Sequence, residues 1–183
     1  ALKITYTLKK HDLEVCWEVV NNDSETMYFT IGGHPAFRVP VREGESQSDY
    51  RLAFEGLDTL TYLLIDTSVG TVLADEPHTL SLENGTCSIA PHMFDKDALV
   101  FDNGQIQKAG ILFPDGTPYL TLTSEGFPNF GIWSVPGAPF VCLEPWMGRC
   151  DDCGFEKPLS EKANINVLKP DEEFIKSYQI TVH

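Results

Sequence analysis

The sequence predicts an all-β protein, an antiparallel β-sandwich built from many short strands. Three observations carry that expectation. Apolar and polar residues alternate with a period of two through most apolar segments. Gly, Pro, Asn and Asp punctuate the chain between those segments. Helical periodicity is confined to one short stretch, LSEKANI, next to Pro158. A closed barrel would give the same strand pattern and stays open as an alternative.

Taken in order, LKITYTL sets Leu2, Ile4, Tyr6 and Leu8 on one side and Lys3, Thr5, Thr7 and Lys9 on the other. After the turn KKHD, the alternation resumes with Leu13, Val15, Trp17 and Val19, which reads as a hairpin. The next segment, TMYFTIGGHPAFRVP, is an apolar run broken at Gly32-Gly33 and followed by His34-Pro35. HTLSLENGTCSIA carries Asn84-Gly85, a pair suited to a turn with positive φ at both centres, and reads as a second hairpin. GILFPDGTPYLTLTS, with Pro114-Asp115-Gly116 at its middle, reads as a third. FGIWSV, PFVCLEP and FIKSYQITV complete the strands. No repeat, low-complexity tract or linker divides residues 1–183, so one domain is expected. Because the chain opens directly inside a strand, the reading is that it starts part-way through a larger domain.

Composition narrows the function classes. Hydrophobic residues make up 42% and charged residues 22%, enough for a packed core. Twenty-seven acidic against 13 basic residues leave a net charge of −14, which argues against a nucleic-acid partner and against an anionic membrane surface. No apolar run approaches a membrane span of about 20 residues. Five cysteines, an odd number without disulfide-scaffold density, point to reduced thiols and a cytoplasmic location.

Several residues could carry chemistry. The glycines before His34 can adopt backbone conformations closed to other residues, and Pro35 restrains His34 toward extended geometry. A histidine so fixed suits general acid–base work, or it hydrogen-bonds a carbonyl within the core. Glu144 interrupts the apolar run Phe140–Leu143 just before Pro145. If buried it would have a raised pKa and act as a base; if not, it is a strand-end carboxylate in solvent. Asp95 and Asp97 read as loop residues beside Met93, Phe94 and Leu99, able to accept hydroxyl hydrogen bonds or to cap a turn. Trp133 and Trp146 could stack on a sugar face or fill a core. Cys150-Asp-Asp-Cys153 has zinc-knuckle spacing but no second ligand pair, so no metal site is expected. Of the scattered histidines, only His92 lies near the aspartate loop.

The motifs GGHPAF, FDKDALVF, CLEPWMGRCDD and LKPDEEF, in this order and spacing, resemble the aldose 1-epimerase (galactose mutarotase-like) family, and within it the bacterial LacX-type branch. The resemblance implies a supersandwich with a sugar site in a cleft on one face. It implies His34 as general acid, Glu144 as general base, Asp97 or Asp95 as the aspartate that binds sugar hydroxyls, and Trp146 in the cleft wall. The implied reaction interconverts the α and β anomers of a neutral hexose without a cofactor, with acid and base on opposite sides of the sugar. It also implies that about a third of the family domain, with an arginine and a further histidine of the sugar site, precedes the strand matching LKITYTL. A chain without that part would expose sheet edges and tend to dimerise. Two alternatives stand beside the epimerase. One is a non-catalytic carbohydrate-binding domain. The other is a hexose-phosphate epimerase, for which Arg38, Arg42, Arg51 and Arg149 would supply the phosphate-binding charge.

Overall fold

The computed structural model describes all residues from Ala1 to His183. Two antiparallel sheets face each other, as the alternation predicts. The larger takes its seven strands in the order Leu2–Lys9, Asp12–Val20, Glu173–Val182, Pro118–Thr123, Lys108–Leu112, Arg51–Ala53 and Thr86–Ser88. The smaller places Asn129–Trp133 between Leu99–Phe101 and Phe140–Met147, whose outer side pairs with Ile31–Gly32 and Ala36–Arg38. Short two-stranded ladders complete the structure, and helix is limited to two single 3₁₀ turns, Gln47–Asp49 and Leu159–Glu161. The LSEKANI segment thus makes one turn only. No helix is long and apolar enough to cross a membrane.

The core lies between the sheets. Val15, Trp17, Ile111, Leu120, Leu122 and Ile180 come from the larger sheet, and Leu99, Phe101, Phe130, Ile132, Val141 and Leu143 from the smaller. Each fully buried Phe or Leu here is worth roughly 1.5–3 kcal/mol of transfer free energy. Trp17 locks the layers laterally, packing edge-on against Phe127 and Tyr178 at 5.9 and 5.6 Å between centroids.

The first and third hairpins form, with Leu8 opposite Leu13 and Ile111 opposite Leu120. The second closes only one pair, Glu83 opposite Thr86. Asn84 and Gly85 do turn with φ of 49° and 73°. However, His78–Ser81 pairs with Thr59–Tyr62, while Thr86–Ser88 pairs with Arg51–Ala53. The turn chemistry is local and therefore readable, whereas each strand's partner is chosen by long-range packing.

At one margin the larger sheet outruns the smaller. Ile4 and Tyr6 are register partners of the buried Trp17 and Val15, so they point to the same inner side. Yet Leu2, Ile4, Tyr6 and Leu8 are 43–76% exposed. Between this margin and the Gly32–Pro35 segment lies a hollow of about 340 Å³, walled by Ile4, Tyr6, Trp17 and Tyr178 and reached by His34.

Candidate functional site

Val141 and Leu143 turn inward to the core, so Cys142, Glu144 and Trp146 must turn to the opposite face of the Phe140–Met147 strand. On the neighbouring strand, Phe130 and Ile132 face the core, leaving Asn129, Gly131 and Trp133 beside them, opposite Trp146, Glu144 and Cys142 in register. The outer face of the smaller sheet is therefore where the chemistry-bearing side chains collect.

His34 is delivered to this face by the backbone. Gly33 N–H donates to the Pro145 carbonyl at 2.9 Å, and Leu143 N–H donates to the Pro35 carbonyl at 3.3 Å. These two bonds bracket Glu144 and set His34 over it, with His34 Nδ1 3.4 Å from Glu144 Oε1. The imidazole also meets Trp133 edge-on, 5.6 Å between ring centroids. Glu144 is 4% exposed, whereas the His34 side chain is 60% exposed. The two groups are in direct contact, which differs from the expectation that they would flank a sugar from opposite sides.

The double glycine has a different reason from the one its sequence suggests. Neither Gly32 nor Gly33 has positive φ. A Cβ on Gly32 would lie 2.5 Å from the Trp146 ring, and one on Gly33 would lie 2.9 Å from the Tyr178 hydroxyl. Gly131 completes the arrangement, since its Cβ would fall 2.3 Å from the far end of the same indole. Trp146 lies across two glycines of two different strands, beside the smaller cluster of Leu63, Val72 and Val100. The indole forms a flat floor next to Glu144. Gly131→Ala is accordingly expected to lift the indole and destabilise the protein by about 1–3 kcal/mol, as overpacking does. Urea unfolding with near-ultraviolet circular dichroism tests this, and an unchanged midpoint and spectrum would contradict it.

Burial is the main force on Glu144, raising its carboxyl from the usual 4.5 to about 7. The Trp146 indole N–H opposes that rise, and the nearby negative charge of Asp97 adds to it. Asp97 is half-buried with φ of 73°, and its Oδ1 accepts the Ala98 N–H at 2.7 Å. Asp95 is exposed, pairs with His92 at 2.9 Å and borders a separate hollow with Asp66 and His78. The structure thus brings His34, Glu144, Trp146 and Asp97 to one region and leaves Asp95 and His92 outside it.

Two features of the site lie outside the sequence reading. Cys142 stands beside Glu144, its thiol pushed up to about 12 mainly by burial. A ring nitrogen of His34, Cys142 Sγ and a Glu144 oxygen all lie within 4.8 Å of one another. Beyond Trp146, Gly148 turns the chain with φ of 92°, and Arg149 follows it. Its Nε and Nη2 donate to the two oxygens of Asp102 at 2.9 and 2.8 Å, and Nη2 lies 2.7 Å from Asp152. Asn129 donates to Asp102 at 2.7 Å, joining the cluster to the strand that carries Gly131. Alternation alone could have placed Cys142 beside Glu144. Nothing local could have paired Arg149 with a residue 47 positions away.

Such an arrangement offers a buried proton acceptor, an exposed imidazole within reach of it and an aromatic floor. Residues 1–179 match the aldose 1-epimerase family. The LacX proteins of Lactococcus lactis subsp. lactis, plasmid and chromosomal, are 29% identical over 99% of this chain. The chain spans 61% of the length of those curated relatives. Among solved structures, a galactose mutarotase related enzyme from Lactobacillus acidophilus superposes with a TM-score of 0.89 at 26% identity, covering all of this chain and 61% of that one. A galactose mutarotase-like protein from Lactobacillus casei gives 0.83 at 27%, covering all of this chain and 63% of that one.

Proposed function

The chain belongs to the aldose 1-epimerase family, and from that premise we propose that it interconverts the anomers of a neutral hexose, with Glu144 as base and His34 as acid. The observation that carries this reading is the buried Glu144 carboxylate with His34 Nδ1 held 3.4 Å away above a tryptophan floor.

The chemistry needs one proton taken from the O1 hydroxyl and one given to the ring oxygen. Both oxygens are bonded to C1, so two groups in contact with each other can serve them once the exposed imidazole swings aside. Glu144 removes the O1 proton as the C1–O5 bond breaks, and His34 delivers a proton to O5. The open aldehyde turns about C1–C2, and reversal of both transfers closes the other anomer. Each group contributes roughly 10²–10⁴-fold by general catalysis. Trp146 receives the apolar face of the ring, and Asp97 accepts a sugar hydroxyl. No step calls on a cofactor.

Polarimetry or exchange NMR on freshly dissolved α-glucose and α-galactose tests the reading; a rate no faster than buffer would sink it. The pH profile supplies a second expectation. Glu144 must be ionised to accept a proton, so the acid limb of the kcat/KM profile is expected to rise through an apparent pKa near 7. A limb near 4.5 would mean that this carboxylate is not the base.

Two facts bear on the alternatives. The His34 side chain is 60% exposed, and such an unenclosed acid favours sugar binding without turnover as the second reading. Calorimetric binding with no rate enhancement would select it. The hexose-phosphate reading loses its best cation, because Arg149 is buried and committed to Asp102 and Asp152. Arg42 and Arg51 are likewise engaged, with Asp115 and with Thr86.

A further inference from the structure

We propose that His34, Cys142 and Glu144 form a three-ligand site for a thiophilic divalent cation, Zn²⁺ or Cd²⁺, which would occupy the position the sugar's reacting oxygens need. Cys142 and Glu144 stand two residues apart on one rigid strand, and the backbone bonds around Glu144 bring His34 over both. Their donor atoms fall within 4.8 Å of one another. A tetrahedral zinc with N and O ligands near 2.0–2.1 Å and sulfur near 2.3 Å needs donor separations of about 3.3–3.6 Å. The His34–Glu144 distance of 3.4 Å already satisfies that, and rotation of the exposed imidazole with a closure of about 1 Å brings in the sulfur.

The donor set also selects the metal. Thiolate, carboxylate and neutral imidazole together carry two negative charges, balancing a divalent ion, and leave a fourth position for water. Binding forms a metal–sulfur bond and releases the Cys142 thiol proton to the buffer. Mg²⁺ and Ca²⁺ demand six or more oxygen ligands and find one carboxylate here. The Cys150-x-x-Cys153 pair is no rival, for Cys153 is exposed and no third donor joins the two. Cation binding itself is independent of the proposed epimerisation, and only the resulting inhibition rests on that reading.

The test titrates the full chain, kept reduced, with cadmium chloride and follows the ultraviolet sulfur-to-cadmium charge-transfer band. One equivalent should develop the band, and excess Mg²⁺ should not displace it. Cys142→Ser should abolish the band. His34→Ala, a replacement at an exposed side chain that leaves the fold unstrained, should weaken binding at least ten-fold. A Cys150→Ser/Cys153→Ser variant should retain the band. The site is refuted if no band forms, if the band survives Cys142→Ser, or if it vanishes in the Cys150→Ser/Cys153→Ser variant. Zinc should also stop catalysed anomerisation at near-stoichiometric amounts, with recovery on adding chelator. A band without any epimerase rate would overturn the enzymatic reading alone, and an epimerase rate without a band would overturn the metal site alone.

Discussion

Glu144→Gln is expected to bring the proposed anomer exchange down by about 10²–10⁴-fold, while making the folded protein more stable at alkaline pH. Both effects come from one cause. The native carboxyl keeps its proton up to about pH 7, whereas an unfolded glutamate releases it near 4.5. Between those values the native state binds more protons, so stability falls as pH rises, by about 3 kcal/mol over the interval, and stays reduced above it. Glutamine has the same shape and no charge, so that loss does not occur. Urea midpoints of wild type and variant should therefore coincide near pH 4 and separate progressively up to pH 8. A separation that does not grow with pH would show that Glu144 is not held in a desolvated site. A variant that keeps its rate would remove Glu144 from the chemistry.

Arg149→Met should be the most destabilising single change in the neighbourhood of the site, by about 3 kcal/mol. Burial disfavours the Arg149 charge, but Asp102 and Asp152 more than offset it and hold the guanidinium protonated. Removing the guanidinium strands Asp102, 19% exposed, with only the Asn129 amide as partner. Lysine should recover little, because it cannot reproduce the fork that spans both oxygens of Asp102. Chemical unfolding of Arg149→Met, Arg149→Lys and the Arg149→Met/Asp102→Asn double variant checks this. In the double variant most of the loss should return, since the stranded charge is then gone. An unmoved midpoint in Arg149→Met would mean that the pair contributes nothing.

The strands and most turns were legible because they follow from local properties, namely alternation and residues that accept positive φ. Asp171 illustrates this: it stands in the turn of LKPDEEF with φ of 63°. Strand partnership beyond the turn itself is set by long-range packing, which is why the strands flanking Asn84-Gly85 pair with Thr59–Tyr62 and Arg51–Ala53 after a single Glu83–Thr86 pair. In the site, His34 and Glu144 could be singled out by their flanking residues, but their contact could not, since 110 positions separate them. The double glycine is conspicuous in the sequence, but not for the reason the structure gives. Its function is to admit the Trp146 and Tyr178 rings, and close approach leaves no signature in the sequence beyond the glycines themselves. The Arg149 cluster was hidden altogether, because its arginine looked like a free cation until Asp102 and Asp152 were placed around it.

The uncovered margin of the larger sheet gives the molecule a colloidal character of its own. Four apolar side chains project beside an edge strand whose outer backbone groups have no partner in the sheet, a template on which another strand can add. Against that attraction stands the charge of −14, which makes copies repel while ionic strength is low. The repulsion reaches about 30 Å at 0.01 M salt and only about 8 Å at 0.15 M, whereas the apolar attraction is not screened at all. Dispersion of this chain is thus governed by salt rather than by concentration alone, and the same solution can be monodisperse or associating according to its buffer.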